Sequence, residues 1–122
     1  MNEVKQVIVM RKDLKMRRGK EIAQGAHAAM AFLVKKALRK EDLTDVERAW
    51  LEGLFTKVCV RVDSDEALLS VARAAQDAGL HVEVITDAGK TEFGGVPTRT
   101  CLAIGPDLPS KIDSVTGALE LY

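Results

Sequence analysis

The chain has 122 residues, of which 47% are hydrophobic, 30% are charged and 3 are prolines. This composition is typical of one compact domain and excludes a disordered, collagen-like or coiled-coil protein. No apolar run approaches the roughly 18 to 20 residues of a membrane helix, and the first residues do not resemble a secretory signal. We therefore expect a single domain over residues 1–122 that is cytoplasmic and does not contact a membrane.

The charge is distributed unevenly, although 18 basic and 18 acidic residues cancel over the whole chain. Residues 1–40 hold 11 Lys or Arg against 3 Asp or Glu, and the excess is greatest in residues 11–20. Such asymmetry is typical of a surface that binds a phosphate-bearing partner. A solvated basic loop without a partner is the alternative interpretation.

The first two predicted elements are a strand and a long helix. Residues 7–10 form a short apolar run rich in β-branched side chains, which predicts a strand covered on both faces. Residues 20–38 show helical periodicity. One face of this helix is predicted to point to the core, with Ile22, Ala26, Ala29, Met30, Leu33 and Ala37. A different face carries Lys20, Gln24 and His27.

The remaining elements complete the order β-α-α-β-α-β-β-α. Thr44 and Glu47 form a capping box, which predicts a helix ending near Gly53. Alternation and capping signals then predict a strand, a helix, two strands and a short helix, over residues 57–62, 64–79, 81–86, 100–104 and 107–117. In the third strand Val82 and Val84 alternate with His81 and Glu83. In the last helix Leu108, Ile112 and Val115 are predicted to point inward. The tail 119–121 is predicted to pack back onto the domain. This order predicts a sheet between helices, with ligand sites at the strand ends.

Two polar segments lie at element ends. Lys20 stands at the start of the first helix, where a cation opposes the helix dipole, so another interaction is expected to retain it. Asp87 follows a strand, within the sequence Thr-Asp-Ala-Gly-Lys-Thr of residues 86–91. A carboxylate beside an ammonium can accept a proton from water while the ammonium stabilises an attacked carbonyl oxygen, which suits ester hydrolysis. An ordinary Asp-x-Gly turn is the alternative.

Other chemistry has less support in the sequence. There is no GxSxG motif and no cysteine paired with a histidine, so a covalent acyl-enzyme has no evident nucleophile. Cys59 and Cys101 lack the spacing of metal ligands and are expected to be reduced, buried thiols. We expect no metal and no cofactor. His81 is predicted at the surface, whereas His27 is either a packing residue or part of a site.

Several stretches together resemble the type-two peptidyl-tRNA hydrolases over nearly the whole chain. They are Asp13-Leu14-Lys15-Met16 with Gly19-Lys20, Ala23-Gln24 with His27-Ala28, Asp87-Ala88-Gly89-Lys90-Thr91, Leu102 with Ile104-Gly105-Pro106, and Ile112-Asp113 with Val115-Thr116-Gly117. The resemblance implies a three-layer α/β/α sandwich with a small mixed four-stranded sheet. It also implies an enzyme that cleaves the ester between a peptide and the 3′ ribose of tRNA, and it suggests a homodimer.

The resemblance also implies a set of site residues. The proposed catalytic residues of the family match Lys20, Asp87, Thr91 and Thr100, and Gln24 and His27 match positions lining the same cleft. The loop before the last strand departs from the family, which often has a Pro-Gly pair there, and is one residue longer here. Thr98 therefore competes with Thr100 for the family threonine.

The chemistry of these residues is consistent with water attack on an ester without a covalent intermediate. Asp87 would be the base and Lys20 the oxyanion partner or orienter, although the two roles could be exchanged, and Thr91 would position water or Asp87. Lys15, Arg17 and Arg18 would hold tRNA phosphates independently of sequence. A non-catalytic RNA-binding module and an interaction adaptor remain the alternatives.

Overall fold

The computed structural model describes residues 3–122. Its eight elements follow the predicted order: β1 Lys5–Arg11, α1 Arg18–Arg39, α2 Asp45–Glu52, β2 Thr56–Val62, α3 Asp65–Asp77, β3 Val82–Asp87, β4 Thr98–Asp107 and α4 Pro109–Thr116. Most ends lie within one or two residues of the prediction. The exception is β4, which extends beyond the predicted residues 100–104 at both ends because it lies between two strands and pairs with both.

The predicted capping signals form as expected. Thr44 accepts a hydrogen bond from the backbone N–H of Glu47, and the Glu47 carboxylate accepts one from the backbone N–H of Thr44. Ser64 caps α3 by accepting from the backbone N–H of Ala67. Each cap satisfies a backbone donor that the first turn of a helix leaves unpaired.

The four strands form one mixed sheet in the order β2-β1-β4-β3. β1 runs parallel to β2 and antiparallel to β4, and β3 is antiparallel to β4. The C-terminal tail packs back on the outer edge of β2, where Leu121 bridges Val60 and the N–H of Tyr122 donates to the carbonyl of Cys59. These observations confirm the small mixed four-stranded sheet and the predicted docking of the tail.

Helices cover both faces of the sheet. Val7 and Val9 of β1 join a buried cluster with Leu68 of α3 and Ile112 of α4. The alternate residues of β1 face the other side, where Met10 packs with Ala28 of α1. The strand predicted to be buried on both faces is therefore the centre of a three-layer α/β/α sandwich, as expected.

The predicted core face of α1 is wrong. The buried residues of α1 are Gln24, Gly25, Ala28, Ala29 and Phe32, so only Ala29 of the predicted stripe is buried. Ile22 is 67% exposed and Met30 is 56% exposed. The helix is apolar around most of its circumference, and its small residues let it approach the sheet closely. Gln24 can be buried there because its amide has hydrogen-bond partners in the sheet.

Two further expectations about side-chain direction need correction. In β3 the carboxylate Glu83 is buried, whereas the alternating Val84 is 37% exposed, because Glu83 faces Lys35 of α1 and forms an ion pair with it. In the last helix Ile112 is fully buried, but Leu108 is 38% exposed because it precedes the first turn as the N-cap residue. No helix within residues 3–122 combines the length and the apolar character needed to cross a membrane.

Candidate active site

The candidate site lies at one edge of the sheet, where β3 ends and β4 begins. Asp87 is the last residue of β3 and pairs with Thr98, the first residue of β4. The first turn of α1 carries Lys20 to the same edge. The fold thus brings together side chains that are 67 residues apart in the chain.

Lys20 makes two polar contacts across this edge. Its Nζ donates to Asp87 Oδ1 at 2.9 Å and to Thr91 Oγ1 at 2.7 Å. The side chains of Lys20 and Asp87 are 15% and 14% exposed, so the pair is shielded from bulk water but still accessible. These contacts compensate for the position of the Lys20 ammonium at the N-terminal end of α1, where the helix dipole disfavours a positive charge.

A buried pair of residues supports Asp87 from behind. Gln24 Nε2 donates to Asp87 Oδ1 at 3.3 Å, and the Thr100 hydroxyl donates to Gln24 Oε1 at 2.6 Å. Gln24 is 3% exposed and Thr100 is fully buried. Thr98 instead donates to the carbonyl of Val96 in its own loop at 2.8 Å. Of the two competing threonines, Thr100 therefore joins the cluster around Asp87.

Asp87 also closes a tight turn. Its Oδ2 accepts a hydrogen bond from the backbone N–H of Gly89 at 2.8 Å. Gly89 has a φ of +81°, and a Cβ added there would lie 2.1 Å from the carbonyl oxygen of Val96, so only glycine fits. The turn interpretation and the site interpretation of this motif are thus compatible, because the two carboxylate oxygens serve different partners.

The contacts keep Asp87 ionised. The hydrogen bond from Lys20, the backbone N–H of Gly89, the positive charge of Lys20 and the Gln24 amide together lower the pKa of Asp87, and they outweigh the opposing effect of burial. At neutral pH the site therefore contains a carboxylate that can accept hydrogen bonds beside a lysine side chain that donates them.

The predicted phosphate-binding residues come shortly before Lys20 in the chain. Lys15, Arg17 and Arg18 are all exposed, in and next to the connection between β1 and α1. Arg17 Nε lies 3.9 Å from Glu92 Oε1, which brings the basic connection next to the loop between β3 and β4. Arg17 is thus paired with the loop that follows Asp87, and none of the three cations takes part in the contacts that hold Asp87.

His27 lies apart from the cluster. It is exposed on the outer side of α1, in a shallow groove of about 600 Å³ that it shares with Ala23, Met30 and Val34. The predicted role of His27 in substrate binding stays a prediction. His81, as predicted, is largely at the surface, with a side chain that is 46% exposed.

One aromatic residue at the site was not expected from the sequence. Phe93 lies in the loop between β3 and β4, and its ring centroid is 5.8 Å from Lys20 Nζ. Its position in a glycine-rich loop that directly follows the Asp87 motif is the sequence signal that could have indicated it.

The two cysteines are free thiols; Cys101 is buried, as predicted, whereas Cys59 is only partly buried because it lies on the edge strand β2. Burial raises the pKa of Cys101 to about 12 and also raises the pKa of the half-buried Cys59, so neither is a thiolate at neutral pH. Within residues 3–122, no three side chains of His, Cys, Asp or Glu converge in a group that could hold a metal ion.

Comparison with known proteins shows the family of this chain. The family described as Peptidyl-tRNA hydrolase PTH2 matches residues 4–122. A peptidyl-tRNA hydrolase of Nanoarchaeum equitans is 44% identical over 119 residues, covering 98% of this chain and 99% of the relative. One of Methanothermobacter thermautotrophicus is also 44% identical over 119 residues, covering 97% and 99%. One of Saccharolobus solfataricus is 41% identical over 120 residues, covering 97% and 98%. The chain therefore belongs to the Peptidyl-tRNA hydrolase PTH2 family.

Proposed function

We propose that this chain is a peptidyl-tRNA hydrolase that cleaves the ester between a peptide, or an N-blocked aminoacyl group, and the 3′ ribose of tRNA. The observation that carries the proposal is the contact of Lys20 with Asp87 and Thr91, at a sheet edge bordered by exposed basic residues. Family membership over residues 4–122 is consistent with it.

Asp87 acts as the general base in this proposal. A carboxylate has about four acceptor positions on its two oxygens, and Lys20, Gln24 and Gly89 use three of them. The remaining position, on Oδ2, can accept a proton from the attacking water. Its lowered pKa makes Asp87 a weak base, so the water must be positioned closely for attack.

Lys20 acts as the oxyanion partner. An ammonium has three N–H donors, and Asp87 and Thr91 receive two of them. The third can donate to the ester carbonyl oxygen, where negative charge develops in the transition state. The opposite assignment, in which Lys20 orients water and Asp87 holds Lys20, uses the same contacts and predicts the same two essential residues.

The threonines have different roles in this mechanism. Thr91 is exposed and contacts Lys20 directly, so it can touch water or substrate. Thr100 is fully buried and reaches Asp87 only through Gln24, so we assign it a positioning role. Outside this network, Lys15, Arg17 and Arg18 bind backbone phosphates, which are common to all tRNAs.

The decisive experiment is hydrolysis of an N-acetylated aminoacyl-tRNA by the purified protein. We expect release of the N-acetylated amino acid with turnover, and loss of release in Asp87→Asn. Binding without release would support the alternative of a non-catalytic RNA-binding module, and neither binding nor release would support an adaptor.

We further propose that the reaction needs no metal ion, because the Lys20 ammonium supplies the positive charge that a metal would otherwise provide. Cleavage of a short acylated RNA mimic should continue in excess chelator. The mimic separates this question from the effect of magnesium on tRNA folding. Loss of cleavage that one added metal ion restores would contradict the proposal.

A homodimer is the proposed assembly, as the family resemblance suggests. Its support is the exposed apolar side of α1, where large side chains are uncovered: Ile22, Met30, Val34 and Leu38. One such surface can pair with its own copy about a twofold axis. Light scattering should give a mass of two chains for the wild type and of one chain for Met30→Glu.

A single domain over residues 1–122 and a cytoplasmic location stay predictions.

A further inference from the structure

Phe93 is set apart from most other aromatic side chains of the chain. Phe32, Trp50 and Phe55 contact one another in a separate group. Phe93 instead lies in the loop between β3 and β4, with its ring centroid 5.8 Å from Lys20 Nζ. It is half-buried, so part of the ring is open to solvent beside the candidate site.

The ring is supported and held in place. It packs against the buried cluster that contains Met10, Met16 and Cys101. Its own carbonyl accepts a hydrogen bond from the backbone N–H of Val96 at 3.0 Å, and the N–H of Gly95 donates to the carbonyl of Gly89 at 2.8 Å. A ring fixed in this way can receive a flat ligand without a large loss of conformational freedom.

The chemistry of the substrate identifies that ligand. The ester is on the terminal ribose, and the terminal base is attached to that same ribose, so the base lies close to the reacting carbonyl. Every tRNA ends in the same adenosine, and stacking on an aromatic ring needs no sequence code. The contact of Arg17 with Glu92 brings the basic connection beside the Phe93 loop, where phosphates of the same strand would bind.

We infer that the Phe93 ring, 5.8 Å from Lys20 Nζ, is the stacking platform for the terminal adenine of the tRNA strand and thereby positions the ester at Lys20 and Asp87. This inference rests on the proposed function. It makes Phe93 a substrate-binding residue that contributes mainly to affinity and to the placement of the ester.

The test measures binding of two short RNA probes that end in the tRNA 3′ sequence. Both carry an N-acetylated aminoacyl group through an uncleavable amide, and one lacks the terminal base. Wild-type protein should bind the intact probe about tenfold more tightly than the abasic one, the order expected for one stacked base. Phe93→Leu should bind the two probes equally, whereas Phe93→Tyr and Phe93→Trp should keep the difference.

The controls separate stacking from packing. Phe55→Leu makes the same chemical change in an exposed ring of the other aromatic group and should leave the preference for the intact probe unchanged. Equal binding of both probes by wild-type protein would overturn the inference. So would a Phe93→Leu variant that still prefers the intact probe. Because the probes cannot be cleaved, a protein that discriminates between them but does not hydrolyse the ester would refute the proposed function and not the stacking contact.

Discussion

Two lysine–carboxylate pairs join α1 to β3, and only one of them lies in the candidate site. Lys20 contacts Asp87 at 2.9 Å, with side chains 15% and 14% exposed. Lys35 contacts Glu83 at 2.5 Å, with side chains 54% and 8% exposed. Both carboxyl groups have a lowered pKa. For Glu83, burial acts to raise the pKa, but hydrogen bonds from Lys35 and His81 outweigh it.

The surroundings of the two pairs differ, in line with their different proposed roles. Glu83 lies inside β3, where the backbone on both sides pairs with β4, and its second oxygen contacts His81. Asp87 lies at the end of the strand, beside the Thr91 hydroxyl and the buried Gln24 amide, in a loop next to exposed cations. A charge pair alone therefore does not indicate a catalytic site. The nearby hydroxyl and the adjoining loop distinguish the first pair from the second.

The largest expected difference comes from removing one carboxylate at a time. Asp87→Asn should lower turnover by about 100-fold or more, as expected for a general base, while tRNA binding barely changes. Glu83→Gln should leave turnover unchanged but lower the free energy of unfolding by about 1 to 2 kcal/mol, because charge-assisted hydrogen bonds to a buried group are lost. Single-turnover hydrolysis and urea unfolding measure the two effects. A near-normal rate for Asp87→Asn would mean that Asp87 is only a turn residue.

The second prediction tests whether the turn holds Asp87 in place. Gly89→Ala should lower kcat/KM by about tenfold or more, because its Cβ would lie 2.1 Å from a backbone oxygen of the same loop. The loop must shift to relieve this contact, and a shift of about 1 Å is enough to misplace Asp87. Gly79→Ala is the matched control, since Gly79 also has a positive φ but has nothing within 4 Å of the added Cβ. It should cost about 1 kcal/mol of stability and leave kcat/KM intact. Equal rates for the two variants would show that the turn does not position Asp87.

The third prediction concerns the exposed cations that precede Lys20 in the chain. If Lys15, Arg17 and Arg18 contact phosphates, replacing all three with Gln should flatten the slope of log affinity against log salt by about two units. Turnover at saturating tRNA should change much less. Replacing the exposed Arg48, Arg73 and Lys111 with Gln is the control. Equal slopes for the wild type and for the variant of Lys15, Arg17 and Arg18 would mean that the tRNA phosphates bind at another part of the surface.

The smallest effect is expected in the acid range. Because the pKa of Asp87 is lowered from 3.8, its carboxylate remains charged at pH 5, and kcat/KM should fall only below the ordinary aspartate range. A lowered pKa also means that each carboxylate stabilises the fold above its unfolded pKa and loses this effect as pH falls through its folded pKa. Glu83→Gln should therefore weaken the acid dependence of unfolding without shifting the acid limb of kcat/KM. An acid limb near pH 6 or 7 would point to another titrating group.

Local signals predicted the elements well. The capping box at Thr44, the Ser64 cap and the apolar run of β1 all depend on neighbouring residues, and each forms as expected. The face of α1 did not follow from its periodicity. Large apolar residues such as Ile22 and Met30 suggested a core stripe, but they are exposed, because the sheet accepts the small residues and Gln24 instead.

Most members of the site were predicted, but His27 lies apart from it, Phe93 was not expected, and the connections between the members were not predicted. The motifs indicated Lys20, Asp87 and Thr91, and the structure brings these three into contact. The choice between Thr98 and Thr100 could not be made from spacing, since the longer loop leaves the register open. The choice depends on which of the two hydroxyls faces α1. The hydroxyl of Thr100 does, because it donates a hydrogen bond to Gln24 of α1.

The sequence by itself determined the order of strands and helices, the caps and the chemical groups available for catalysis, because these depend on short-range periodicity and on residue type. Tertiary structure alone decided which face of α1 is buried, that Glu83 points inward, and that Phe93 lies beside Lys20. These outcomes depend on packing between segments that are far apart in the chain. Helical or strand periodicity specifies which residues share a face, whereas only the packed sheet specifies which face it covers.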